Sequence, residues 1–84
     1  MKQIDECLDR AFAGKKALSK KLRAAIIDCN SERMLFLCHY QHLVLIYNLN
    51  KKELERQWYE LPADKRGLDA ALKYIKNREE ENNG

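Results

Sequence analysis

Residues 33–50, RMLFLCHYQHLVLIYNLN, leave this chain few ways to fold. Two apolar runs, Met34–Cys38 and Leu43–Tyr47, flank Tyr40-Gln41. That arrangement predicts an antiparallel hairpin. No Gly or Asn stands at the turn to supply positive φ, so a wider loop fits as well. A single buried helix is the competing reading. It fails on size, because a helix apolar all round needs a larger shell of neighbours than 84 residues provide. In the hairpin, Met34, Phe36 and Cys38 fall on one face and Leu35 and Leu37 on the other, so both faces are apolar. Such a hairpin requires helices on both sides, or a partner.

The flanking sequence supplies helices. Ile4, Cys7, Leu8, Ala11 and Phe12 recur at i, i+3, i+4, i+7 and i+8, one apolar stripe on a helical period. The stripe extends to Leu18 and Leu22 if Gly14 is tolerated inside a helix; otherwise two helices meet near Gly14. AAIIDC, residues 24–29, followed by the turn-formers Asn30-Ser31, reads better as a short strand than as more helix. Asn50 and Glu53 stand at capping-box spacing, with Leu54, Trp58 and Leu61 at helical spacing behind them. The alternative over residues 53–61 is a fourth strand after an Asn-Lys-Lys turn. Pro62 ends either one, and Asp64 then caps a final helix with Leu68, Ala71, Leu72 and Ile75 inward. Of the adjacent pair Trp58 and Tyr59, only one can be fully in the core; Trp58 is expected inside and Tyr59 at the edge.

Size and composition narrow the function classes. A chain of 84 residues makes one domain, and 45% hydrophobic with 35% charged residues is a globular balance. Three Cys, none in a CxxC pair, imply reduced thiols and a cytoplasmic protein. The opening MKQIDECLDR lacks the pattern of a signal peptide, and apolar runs of five residues fall far short of a membrane span, which needs about 20. The net charge of +3 is unevenly spread. Its excess lies in KKALSKKLR, where Lys15, Lys16, Lys20, Lys21 and Arg23 occur without an acid among them.

Catalysis and metal binding find little support. Cys29, Cys38, His39 and His42 are ligand types within a short span, but a structural zinc needs four of them around one point. Neighbours on a strand point to opposite faces, so Cys38 and His39 diverge and only the facing His39 and His42 remain. A thiol in the middle of an apolar run is inert, and no Gly-rich phosphate loop is present. The expectation is therefore no catalytic site, no metal and no cofactor. On a helix, Lys16, Lys20 and Arg23 would share one side and could meet a phosphate backbone. Tyr59 beside Arg56 is a residue mix enriched at protein-binding hot spots.

From Leu54 onward, over about a third of its length, the chain resembles small phage-encoded inhibitors of type I-F CRISPR complexes. The matching residues are Leu54-Glu55, Tyr59 with Leu61-Pro62, and then Leu68, Ala71, Leu72, Ile75, Arg78 and Glu79. The resemblance implies a small antiparallel sheet with two helices and action by surface binding without catalysis. It carries over no binding residue.

The sequence thus predicts one α+β domain over residues 1–84: an N-terminal helix, an antiparallel meander of three or four strands and C-terminal helical structure, with an acidic tail frayed from about residue 79. The expected function is a small, phage-like, non-catalytic cytoplasmic protein-binding module, a regulator or inhibitor of a larger complex. Its expected contact residues are Tyr59, Arg56, His39 and His42, with a protein partner or self-association through a sheet edge, and with neither membrane nor small-molecule substrate. The alternative is a nucleic-acid binder using Lys15, Lys16, Lys20, Lys21 and Arg23.

Overall fold

The computed structural model describes residues 2–18 and 20–83. Helix α1 (Lys2–Phe12) leads into strands β1 (Leu22–Cys29), β2 (Glu32–His39), β3 (His42–Asn48) and β4 (Glu53–Gln57), and helix α2 (Pro62–Asn83) follows. The strands form one antiparallel meander in the order β1-β2-β3-β4. Of the acidic tail, residues 79–83 belong to α2, and residue 84 lies outside the described residues.

Helix α1 is shorter than its apolar stripe allows. Gly14 takes φ 73° and ends it. The Gly14 N–H bonds the Ala11 carbonyl and the Lys15 N–H bonds the Arg10 carbonyl, the paired bonds of a Schellman cap. The helix therefore does not continue to Leu22, no second helix begins near Gly14 among the described residues, and the shared helical side of Lys16, Lys20 and Arg23 is overturned. The stop outweighs periodicity because Gly is among the least favourable residues inside a helix and the most favourable at a left-handed cap. Gly14→Ala puts a Cβ on a left-handed residue; we expect a loss of about 1 kcal/mol, read by urea denaturation.

Each hairpin turn meets its need for positive φ differently. Asn30 and Ser31 adopt φ 52° and 69°, the type I′ pattern that suits the sheet's twist. The β2–β3 turn keeps a tight connection by placing Tyr40 at φ 56°. Two bonds hold it there: the Tyr40 N–H donates to the Lys21 carbonyl at 2.8 Å, and Arg23 Nη2 donates to the Tyr40 carbonyl at 2.7 Å. In the third turn the Asn48 side-chain oxygen accepts the N–H groups of Asn50 and Lys51, and Lys52 turns left-handed. Asn50 does not cap a helix; its Oδ1 accepts the Arg33 N–H at 2.6 Å, tying the turn to β2. Glu53 then begins β4, so the fourth-strand alternative holds and the capping-box reading fails.

Both helices pack on the same face of the sheet. Ile4 and Leu8 from α1 and Leu68, Ala71 and Ile75 from α2 meet Leu35, Leu37, Leu45 and Tyr47 in one buried cluster. The helices also lock together through Tyr74, whose hydroxyl donates to Asp9 at 2.5 Å, and through Arg78, stacked 4.0 Å from the Phe12 ring. Register puts Ala25 opposite Phe36 opposite Ile46, and Ile27 opposite Met34, on the face turned away from the helices. No element covers that face among the described residues, and Ile27 is 50% exposed there.

Candidate functional site at the hairpin tip

His39 and His42 end β2 and begin β3, paired across the tight turn on the helix side of the sheet. Below them α2 starts at Pro62, a residue suited to a first helical position because it has no N–H to leave unpaired. Asp64 is the third helical residue, and its carboxylate is fully buried. Its Oδ2 reaches back to accept the N–H of Leu61 at 3.1 Å and of Glu60 at 3.3 Å. It thus caps α2 from inside the first turn, as an acidic residue there should.

The same carboxylate holds both imidazoles. His39 Nδ1 lies 2.5 Å from Oδ1, and His42 Nδ1 lies 3.0 Å from Oδ2. Burial alone would raise the Asp64 pKa. The bonds from His39, from the Leu61 and Glu60 backbone and from His42 outweigh it and hold the carboxyl well below the usual carboxylate range. An ionised carboxylate can only accept, so each ring must donate Nδ1–H, which leaves Nε2 on the far side. The His42 ring meets Trp58 edge-on at 4.9 Å, and its Nε2 faces Glu60 at 3.8 Å. His39 packs against the Tyr40 ring at 4.8 Å.

A carboxylate-oriented imidazole can serve as a general base, and covalent catalysis would add a protein nucleophile within about 3 Å of it. Cys38, the nearest thiol in sequence, belongs to the opposite face of the sheet, and Ser31 lies in the turn at the sheet's other end. No group of three or more His, Cys, Asp or Glu able to hold a metal ion occurs among the described residues. The arrangement clamps the hairpin tip to the start of α2.

The sequence-predicted residues are thereby redistributed. His39 is buried in the clamp, while His42 is half-buried beside Trp58. Trp58 is not a core residue; it is 39% exposed, because the chain leaves the sheet after Gln57 and the ring lies against His42. Tyr59 is exposed, with Lys65 Nζ 5.3 Å from its ring centre. Arg56 stands opposite Ile46 on the uncovered face. Of the basic run, Arg10 Nε binds the Lys16 carbonyl at 2.7 Å, whereas Lys20 and Arg23 line a concavity of about 600 Å3 with Tyr40, Gln41 and His42. The histidines and part of the basic run, read from sequence as separate surfaces, meet at one hairpin tip. Sequence reasoning missed Asp64 as their anchor. The available signal was two His flanking a tight turn with an Asp two residues after a helix-starting Pro.

No protein-family model matches this chain, and neither a curated protein nor a solved structure matches it.

Proposed function

We propose that this protein is a non-catalytic protein-binding module, a regulator or inhibitor of a larger complex, and that its uncovered sheet face is the contact surface. The carrying observation is that face, where Ala25, Ile27, Met34, Phe36, Cys38 and Ile46 lie unshielded by either helix. Four strands about 4.8 Å apart, each of about six residues at about 3.3 Å, make a face of roughly 400 Å2, of which the three apolar strands β1–β3 supply roughly 300 Å2. Apolar patches of that size on a monomer are often functional.

The occupant is a larger protein, presenting an apolar patch with an acidic group to meet Arg56. A second copy stacked face to face would bury little beyond the face itself, about half of the roughly 800 Å2 per partner that a stable complex uses. A larger partner can continue over the β4 side, onto Arg56, Trp58 and Tyr59, and reach the usual size. Strand addition at β4 is disfavoured by Glu53, Glu55 and Arg56, since charge on an edge strand blunts pairing. Three free thiols suit a reducing cytoplasm, and no helix among the described residues is long and apolar enough to cross a membrane. The likeness of residues 54–79 to small phage-encoded inhibitors agrees with a surface-binding role.

The test pairs Phe36→Lys with Ile46→Lys. In sedimentation both the parent and this double variant should be monomers, with melting curves that nearly coincide. A protein retained by the parent from nuclease-treated lysate should be lost by the double variant and weakened by Tyr59→Ala. Retention unchanged by the face substitutions would sink the reading. A micromolar dimer that the double variant dissolves would put a second copy on the face instead.

A further inference from the structure

We infer that the hairpin tip is a binding site for single-stranded nucleic acid, with one base stacked on Tyr40 and its flanking phosphates held by Lys20 and Arg23. This inference stands apart from the sheet-face reading, which concerns other residues.

Composition alone weakens a nucleic-acid role, because the basic run from Lys15 to Arg23 contains no aromatic residue. Tertiary structure supplies one. Antiparallel pairing of β1 with β2 brings Tyr40 beside Lys20 and Arg23, and the three line the same concavity with Gln41 and His42. Its volume, about 600 Å3, is within the usual range for a small-ligand site and can take one nucleotide unit. Cations beside an exposed aromatic ring are the two elements that single-strand binders combine, one for phosphate and one for the face of a base.

Tyr40 is also an unusual residue for its position. It is 56% exposed at φ 56°, where Gly or Asn would form the turn with less strain. Strain of this kind gathers at working sites. What Tyr offers in place of Gly is a ring, held by His39 at 4.8 Å, which is itself fixed by Asp64. The ring is thus preorganised, and a base stacking on it meets little conformational cost.

The cations are similarly prepared. Arg23 donates one N–H to the Tyr40 carbonyl, and the rest of its guanidinium remains for a ligand. No ion pair involves Lys15, Lys16, Lys20, Lys21 or Arg23 among the described residues. Lys15, Lys16 and Lys21 are exposed along the segment leading to β1 and extend the phosphate track. Gln41 at the turn can donate to and accept from a base edge. A duplex buries its bases, so only a single strand offers the face that Tyr40 requires.

The measurement is fluorescence anisotropy of a labelled 12-residue single-stranded oligonucleotide, with the full chain, at several salt concentrations. The parent should bind, with a log–log salt slope of about −2, corresponding to roughly three phosphates on a single strand. Tyr40→Gly should weaken binding about tenfold without lowering the melting temperature, because Gly suits the turn. Lys20→Glu with Lys21→Glu should abolish binding. An abasic oligonucleotide with the same phosphates should bind the parent about as weakly as the ordinary strand binds Tyr40→Gly. Equal affinity for abasic and ordinary strands, no effect of Tyr40→Gly, equal affinity for duplex, or no binding by the parent at 50 mM salt would each overturn the inference.

Discussion

Replacing Asp64 with Ala is expected to cost about 3 kcal/mol or more. The carboxylate accepts four hydrogen bonds, from His39, His42 and the backbone N–H groups of Glu60 and Leu61. Truncation leaves two imidazole donors facing a void and removes the cap of α2 at the same time. A chain of 84 residues has roughly 4–12 kcal/mol in total, so the variant should be partly unfolded near physiological temperature. Urea denaturation followed by circular dichroism reads the loss directly. A cost under about 1 kcal/mol would show that the tip is held by the sheet alone. Asp64→Asn retains acceptor capacity at one oxygen only and should fall between parent and Ala.

The same residue sets the acid limb of stability. Its folded pKa is depressed below the unfolded value of about 3.9. The contribution is therefore fully present above that value and is lost as pH falls towards the folded pKa. Melting temperature should drop below about pH 4 in the parent, and less steeply in Asp64→Asn. The alkaline limb has another origin. Burial and the bond to Glu79 push the Tyr47 hydroxyl up to about 12, and burial with the bond to Asp9 does the same for Tyr74. Their neutral forms stabilise the fold below the ordinary tyrosine pKa of about 10, and that stability is lost as pH rises towards 12.

A second large effect separates the two faces of the sheet. Leu45→Ala should cost about 2–5 kcal/mol, since Leu45 is fully buried among residues of both helices and the sheet, and its removal leaves a cavity. Phe36→Ala, on the neighbouring strand but the opposite face, should cost less than about 1 kcal/mol despite removing a larger side chain, because no helix packs there to leave a cavity. Chemical denaturation of the two variants checks both values. Comparable losses would mean that the uncovered face is stabilised within the monomer and is not held for a partner.

Much of the architecture follows from local sequence. The alternation through residues 33–50 specifies a two-faced hairpin, and the stripes Ile4, Leu8, Ala11 and Leu68, Ala71, Ile75 specify helices with one buried side. Asn30-Ser31 marks its turn by residue type alone. These signals are local because side-chain period and turn preference are properties of a few neighbouring residues. They also expose a mismatch: two apolar sheet faces and only two amphipathic segments to cover them.

Tertiary structure decided the rest. Residues 53–61 carry a helical spacing, yet 53–57 became a strand because β3 offered an unpaired edge, whose backbone hydrogen bonds outweigh a weak local preference. Tyr40 accepts a left-handed conformation because Lys21 and Arg23, far from it in sequence, bind its backbone. Asp64 reads in sequence as a helix cap. Only the closed fold brings two histidines from the sheet onto it, because a hydrogen bond between residues 22 and 25 positions apart depends on the whole path of the chain. Periodicity likewise shows that a segment has an apolar side, but which side the helices cover is settled by how they pack, and here both chose the same face.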